Sequence, residues 1–186
     1  MKKIFSFAAA MEVVAISSFS VKADITLQDV SGFSTVRAQS PGSITLSADP
    51  EFYYQMKDGQ TINKISFKTG KEEVVFDSKT ARGCEVDSWS GFEMNADETK
   101  ILLYNNVEMI YRRSFYADYY VYDVRHNRLT KLTEDGREQI ATISPNGRMV
   151  AYVKDNNVRL KKLDYNTDIA VTTDGEATKI INALPD

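Results

Sequence analysis

The chain has 186 residues, with 23 Lys and Arg against 26 Asp and Glu, and this length fits one ordinary domain or part of a larger one. The formal net charge of −3 argues against nucleic-acid binding, because phosphate recognition favours a basic surface. A single Cys excludes an intramolecular disulfide and a Cys-based zinc site, and a single His excludes a His-rich metal centre, so we expect neither a metal nor a cofactor.

Residues 1–23 have the pattern of an export signal peptide: a positive start, a mostly apolar stretch and a small-x-small end. The pattern predicts cleavage between Ala23 and Asp24 and a periplasmic or secreted bacterial product with no membrane span after cleavage. Glu12 fits badly, because a carboxylate is costly in an apolar segment. It leaves open inefficient export or a true start at Met11. The alternative interpretation is a buried N-terminal helix.

The rest of the chain is predicted to be nearly all β. Short runs rich in Val, Ile, Tyr, Phe and Thr predict strands at 51–55, 61–67, 100–104, 119–124 and 149–153. Gly-containing turn signals separate such runs at Asp58-Gly59, Thr69-Gly70, Asp135-Gly136, Asn146-Gly147 and Asp174-Gly175. Asn-Gly and Asp-Gly tolerate the positive φ that tight hairpins require.

The turns recur along the chain. Residues 94–102 align with 143–151 at an offset of 49 residues, 132–136 match 171–175, and a weaker copy begins at Leu46. Four short strands repeating every 40–50 residues are typical of a propeller blade. A single blade cannot bury both of its faces, so it needs neighbours on each side.

The sequence therefore predicts an all-β fold, a partial β-propeller of about three four-stranded blades at 43–78, 91–136 and 141–175. Closed propellers have at least four blades, so two apolar blade faces are left without partners. We expect the chain to be the first portion of a larger ring, cut short. The apolar run 180–186 resembles a further strand.

The sequence offers no self-sufficient catalytic site. His126 lies in a polar stretch between two strands, which predicts a solvated hairpin loop. Ser90 lacks the glycines of a nucleophile elbow, and Cys84 has no base nearby in the sequence. Residues 164–168 begin like a calcium loop but lack its Gly and its bidentate Glu, which favours a plain polar turn.

The most unusual segment is 109–123, where two adjacent arginines stand among aromatic residues. An Arg offers a rigid fork of donors for a carboxylate or a carbonyl. On a strand, Arg112 and Arg113 would point to opposite faces, so at most one would face a central cavity. Composition alone favours ordinary surface or ion-paired arginines.

Residues 111–123 resemble the aromatic-Arg-[His/Arg]-Ser-aromatic-x-Ala-x-Tyr…Tyr-Asp stretch of the dipeptidyl peptidase IV family. Further stretches resemble the family in the expected order, at 25–30, 144–157, 172–175 and 180–186. The Arg-Ser-Phe segment and Asp155-Asn156-Asn157 are fairly specific, whereas the Ser-Pro-Asn-Gly turn occurs in many propellers.

The resemblance implies an exported serine exopeptidase in which an eight-bladed propeller caps an α/β-hydrolase domain. Such enzymes release X-Pro or X-Ala dipeptides from peptides with a free N-terminus, and they are often homodimers. In the family, the first Arg of the motif binds the substrate's backbone carbonyl; here it is Arg112. Arg113 stands where many members have His, and no role is assigned to it.

Two departures limit the resemblance. The family's paired glutamates would follow Asp186, and the hydrolase domain with its Ser, Asp and His is not in the sequence. We therefore expect a propeller part that positions and gates substrate but is inactive alone, so whether to count the chain as an enzyme stays open. The alternatives are a non-enzymatic exported propeller that binds a peptide or protein, and a small β-sandwich adhesin, which fits the strands but not the repeat.

Overall fold

The computed structural model of the protein describes residues 44–184 together with Leu27, so the predicted signal peptide and its cleavage point lie outside the described residues. Contacts divide the chain into two units, Met1–Gln39 and Ser40–Asp186, and every described strand belongs to the second. No described segment forms an apolar helix of membrane-spanning length.

The described strands form three four-stranded antiparallel sheets, and in each sheet strands adjacent in sequence are hydrogen-bonded neighbours. The first sheet contains β1 (Ile44–Leu46), β2 (Phe52–Lys57), β3 (Thr61–Ser66) and β4 (Glu72–Asp77); the second contains β5 (Gly91–Met94), β6 (Lys100–Met109), β7 (Phe115–Asp123) and β8 (Arg128–Lys131); the third contains β9 (Gln139–Ile143), β10 (Met149–Lys154), β11 (Asn157–Lys162) and β12 (Thr167–Ala170). The three predicted blades are confirmed, each as one sheet.

The second sheet is buried on both faces because its strands alternate two sets of apolar side chains. Along β6, Ile101 and Leu103 pack with Trp89 in the cluster shared with the first sheet. Leu102 points the other way and packs with Tyr152 in the cluster shared with the third sheet. Each such side chain stabilises the fold by about 1.5–3 kcal/mol when fully buried.

A single carboxylate joins the first two sheets. Glu98, in the β5–β6 turn, accepts hydrogen bonds from the Ala48 amide (2.8 Å), the Tyr54 hydroxyl (2.7 Å), Lys64 Nζ (3.0 Å) and the Ser47 hydroxyl. Burial by itself raises the pKa of Glu98, but these donors outweigh it and lower the pKa to about 2.

The 49-residue repeat brings two equivalent turns into contact. Asn95 Nδ2 donates to the Pro145 carbonyl (3.0 Å), and the Asp97 amide donates to the same oxygen (3.3 Å). The Asn95 side-chain oxygen accepts from the amides of Thr99 (2.9 Å) and Lys100 (2.8 Å). The turn of the second sheet is thereby fixed to itself and to the turn of the third.

The first and third sheets leave apolar side chains exposed, among them Leu46, Val74 and Val171. Their exposure agrees with the prediction that two of the predicted blades each lack a partner on one face.

Two turn and strand predictions need correction. The strand predicted at 180–186 is wrong for its described part, because residues 180–184 hold only an isolated bridge from Ile180 to Glu176, and Asn182 bonds the Asn156 carbonyl (3.1 Å) instead of a strand neighbour. The positive φ expected for Gly175 as part of an Asp-Gly turn is also wrong. That position is close to another backbone instead, since an added Cβ would lie 2.5 Å from the Asn156 carbonyl oxygen.

Candidate functional site

A long hairpin distinguishes the second sheet. Its strands β6 and β7 are the longest described, and the register shifts between Asn105 and Glu108, where Asn106 adopts a φ of 50°. The loop at its end closes on one acceptor, because the amides of Ile110 (2.9 Å) and Tyr111 (3.1 Å) both donate to the Ser114 carbonyl. We call residues 110–114 the tip loop.

The tip loop carries Arg112 and Arg113, so neither lies on a strand and the predicted alternation between two faces does not apply. Arg112 is exposed and, within the described part of the chain, forms no ion pair. Its guanidinium is free to donate to a ligand carbonyl or carboxylate. The predicted role of Arg112 in substrate binding remains a prediction.

Arg113 lies at a pocket of about 250 Å³ between the hairpin and β9. The walls are aromatic: the Tyr104 ring stacks on Phe115 (5.6 Å between centres) and tilts against Tyr119 (5.6 Å). Burial raises the pKa of Tyr119 to about 12, so its hydroxyl stays protonated at neutral pH. The pocket therefore combines a cation with apolar walls and a phenol donor.

A half-buried acid, Glu93 of β5, also lines this pocket, and burial raises its pKa. Ile140, which lines the same pocket, adopts a φ of 48°, which is unusual for a β-branched residue. Backbone strain of this kind collects at functional sites, where the surrounding structure holds it in place.

The segment after β8 fastens the two arms of the hairpin close to the tip loop. The amides of Ala117 and Glu138 each donate to the other's carbonyl (3.0 Å both ways). The Arg137 guanidinium binds the Glu108 carboxylate on one arm of the hairpin and lies 4.6 Å from the centre of the Tyr116 ring on the other. Both arms are thus tied to the same residue.

Two carboxylates complete this attachment. Asp118 accepts from the Arg137 amide (3.1 Å) and from Asn106 Nδ2 (2.8 Å), the latter at the register shift. Glu138 is fully buried and accepts from the Tyr119 amide (3.3 Å) and the Thr133 hydroxyl. Burial raises the pKa of Glu138, which opposes its ionisation.

The other sequence candidates lie elsewhere. His126 occupies the exposed β7–β8 turn beside Asp123 (2.9 Å), as the loop prediction has it. Residues 164–166 belong to the β11–β12 turn, which confirms the polar-turn interpretation. Cys84 is partly buried and lies near the Val86 carbonyl. Among the described residues, no group of three His, Cys, Asp or Glu side chains could hold a metal ion.

Sequence reasoning did not find Arg137, Glu138 or Glu93. The Asp135-Gly136 signal predicts a turn. The structure places that turn between the second and third sheets, and Arg137 and Glu138 follow it directly. The local sequence pattern does not indicate that the connection between β8 and β9 lies against the β6–β7 hairpin.

Residues 95–186 match the family model described as the dipeptidyl peptidase IV (DPP IV) N-terminal region. A probable dipeptidyl-aminopeptidase B of Neurospora crassa is 30% identical over 138 residues, covering 72% of this chain and 15% of that protein. The human prolyl endopeptidase FAP is 26% identical over 137 residues, covering 73% of this chain and 18% of that protein.

Among solved structures, the crystal structure of Porphyromonas gingivalis dipeptidyl peptidase 4 is similar with a TM-score of 0.72 and 38% identity. The match covers 80% of this chain and 22% of that one. The chain thus spans between 15% and 22% of the length of these relatives. The three sheets are blades of a partial β-propeller.

Proposed function

Because the chain belongs to the dipeptidyl peptidase IV family, within its N-terminal region, we propose that it is the propeller part of an exported serine exopeptidase that releases X-Pro or X-Ala dipeptides. Its task is to gate and position peptides with a free N-terminus. The observation that carries the proposal is Arg112, an exposed cation with no ion-pair partner among the described residues, on the tip loop of a hairpin whose arms are fastened next to that loop.

In this role the Arg112 guanidinium donates to a backbone carbonyl of the bound peptide. Such a contact orients the peptide without reading its side chains, and holding a substrate in the reactive geometry lowers the barrier of the reaction. The loop lets the Arg112 side chain extend away from the sheet, and the fastened arms of the hairpin limit the motion of the loop. The attachment by Arg137 and Glu138 therefore supports a fixed position for the tip loop.

The proposal gives this chain no part in breaking the peptide bond. His126 is the single His of the sequence, and it lies in an exposed turn away from the tip loop. We assign the nucleophile, the base and the groups that hold the substrate's amino terminus to other parts of the peptidase. Without them we expect the chain to hydrolyse nothing, and the homodimer expected of the whole enzyme to form through them.

The test is the substitution Arg112→Ala in the full-length peptidase, assayed with Ala-Pro-p-nitroanilide. A lost charged hydrogen bond costs about 1.5–3 kcal/mol, so kcat/KM should fall about 10- to 150-fold. Arg125→Ala, an exposed Arg in the β7–β8 turn, is the matched control and should leave the rate unchanged. An unchanged rate in Arg112→Ala would remove Arg112 from the site.

Export is part of the proposal and has its own measurement. In a Gram-negative host, the mature product should appear in the periplasm or the medium with Asp24 as its first residue. Mass spectrometry of the secreted product checks the cleavage point, and the substitution Glu12→Leu should increase the exported fraction, because it removes the charge from the apolar stretch. A product that retains residues 1–23 in the cytoplasm would contradict this part.

A second candidate is a non-enzymatic exported propeller that binds a peptide or protein. The exposed apolar side chains of Met109, Ile110 and Tyr111 at the end of the hairpin favour it, since such surfaces suit a partner. The two candidates differ in one result: only the peptidase hydrolyses the Ala-Pro substrate when the full-length gene product is assayed.

A further inference from the structure

A groove of about 990 Å³ lies between the outer strand of the second sheet and the β11–β12 turn of the third. Residues 128–132 form one wall, and Leu163 and Asn166 form the other. None of the residues that line it also lines the 250 Å³ pocket beside the tip loop. Its volume is at the upper end of the range for ligand sites.

The groove is cationic although the chain as a whole has a net charge of −3. Among the described residues that line it, Asp123 has the one carboxylate, and this carboxylate is already bound by Lys100 Nζ (2.6 Å) and His126 Nδ1 (2.9 Å). Arg82, Arg128 and Lys131 remain as cations with no carboxylate partner in the described chain.

Two of these cations are held in place. Arg82 is tied to the edge of β8, because its amide donates to the Asn127 carbonyl (3.0 Å) and its carbonyl accepts from the Leu129 amide (2.9 Å). Its guanidinium donates to the His126 carbonyl. Lys131 Nζ donates to the Glu134 carbonyl (3.0 Å). Ordering these side chains in advance reduces the entropy lost when an anion binds.

The floor of the groove is apolar. Val121 and Leu132 lie beneath it, almost fully buried, and the partly buried Leu163 of the facing wall packs against their cluster and supplies the accessible apolar side chain. An inorganic anion or a sulfated sugar would use the cations and leave this floor in contact with water. A peptide that alternates acidic and apolar side chains would use both.

We propose that this groove binds an acidic peptide segment, with its carboxylates on Arg82, Arg128 and Lys131 and its apolar side chains against Leu163. The net negative charge of the whole chain disfavours such a peptide at other places, so charge directs it to this groove. The site is separate from the proposed substrate contact at Arg112, and it goes beyond the proposed function.

The experiment measures binding of the full chain to an N-acetylated peptide of alternating Glu and Leu, six residues long, with a fluorophore at its C-terminus. Acetylation removes the free amino terminus that the proposed peptidase site requires. Fluorescence anisotropy in low salt should give saturable binding. Arg128→Glu with Lys131→Glu should weaken it at least tenfold, and raising the salt should weaken it as well.

Matched controls separate the groove from general charge. Lys68→Glu with Lys71→Glu removes two exposed cations from the first sheet and should leave the affinity unchanged, as should Arg112→Ala. Should the charge-reversed double variant not fold, Arg128→Gln with Lys131→Gln tests the same contacts with a smaller change. Thermal melting of each variant establishes that it is folded.

Three outcomes would overturn the proposal. The first is no saturable binding of the Glu-Leu peptide, and the second is equal binding by the wild type and the groove variants. The third concerns the class of ligand: a heparin-derived hexasaccharide that binds the groove more tightly than the peptide would make it a sulfated-glycan site. A peptide with Ser in place of Leu should bind more weakly than the Glu-Leu peptide, and equal binding would remove the apolar floor from the site.

Discussion

The Arg137 guanidinium lies 4.6 Å from the centre of the Tyr116 ring and also binds the Glu108 carboxylate, so one side chain connects both arms of the β6–β7 hairpin. Arg137 belongs to the connection between two sheets and not to the hairpin itself. The position of the tip loop therefore depends on a contact that neither arm could make alone.

Arg137→Ala should loosen the tip loop without unfolding the sheets. The amides of Ile110 and Tyr111, which donate to the Ser114 carbonyl, should exchange with solvent several times faster, while the amides of β10 should keep their protection. Native-state hydrogen exchange measured by NMR checks this. Arg159→Ala breaks a comparable ion pair with Asp168 (3.3 Å) in the third sheet, and it should leave the tip loop unchanged. Equal exchange in both variants would show that Arg137 does not hold the hairpin.

The sequence predicts the blades well because their signals are local. Alternating apolar side chains such as Ile101 and Leu102 define two buried faces, and the Asp58-Gly59 turn adopts the positive φ values that its composition predicts (52° and 65°). The 49-residue repeat reports a real equivalence, since residues 95–99 and 144–148 each connect the first two strands of a sheet.

The attachment of the hairpin could not be predicted in this way. Glu108 and Arg137 are 29 residues apart, and nothing in either local pattern marks them as partners. The loop position of Arg112 was also missed, because β6 ends at Met109 and the chain then closes a loop in which the amides of Ile110 and Tyr111 share the Ser114 acceptor. The geometry of this site depends on long-range contacts and on irregular backbone. The strand periodicity of the sequence predicts neither of them.

Glu98 makes the junction of the first two sheets sensitive to acid. Its pKa in the folded chain is about 2, below its ordinary value of 4.5, so the stability it contributes is complete above pH 4.5 and is lost as the pH falls towards 2. The difference corresponds to about 3 kcal/mol. Urea unfolding at several pH values should show this loss in the wild type and a smaller loss in Glu98→Gln, which keeps the acid sensitivity due to Asp123, whose pKa is also lowered to about 2. A wild-type profile that is flat between pH 4.5 and 2 would contradict the assignment.

Ile140 is expected to cost stability at its present backbone conformation. A φ of 48° is unfavourable for a β-branched side chain, and Asn tolerates this region better. Ile140→Asn should therefore raise the free energy of unfolding by about 1 kcal/mol. Thr142→Asn, an exposed position of the same strand without positive φ, should be neutral or slightly destabilising. Urea denaturation of both variants decides the matter, and a loss of stability in Ile140→Asn would mean that the apolar contacts of Ile140 outweigh the strain.

Substitutions at Gly136 and Gly70 separate the cost of positive φ from the cost of steric overlap with an added Cβ. Gly136 and Gly70 both have positive φ (63° and 67°), but an added Cβ would lie 1.8 Å from Asp118 Oδ1 at Gly136 and would meet nothing within 4 Å at Gly70. Gly70→Ala should cost about 1–2 kcal/mol, the price of positive φ for an L-residue. Gly136→Ala should cost clearly more, because it also displaces the carboxylate that holds the Arg137 amide and Asn106. It should then increase exchange at the Ile110 and Tyr111 amides, whereas Gly70→Ala should not, and equal destabilisation by the two substitutions would show that Asp118 yields without consequence.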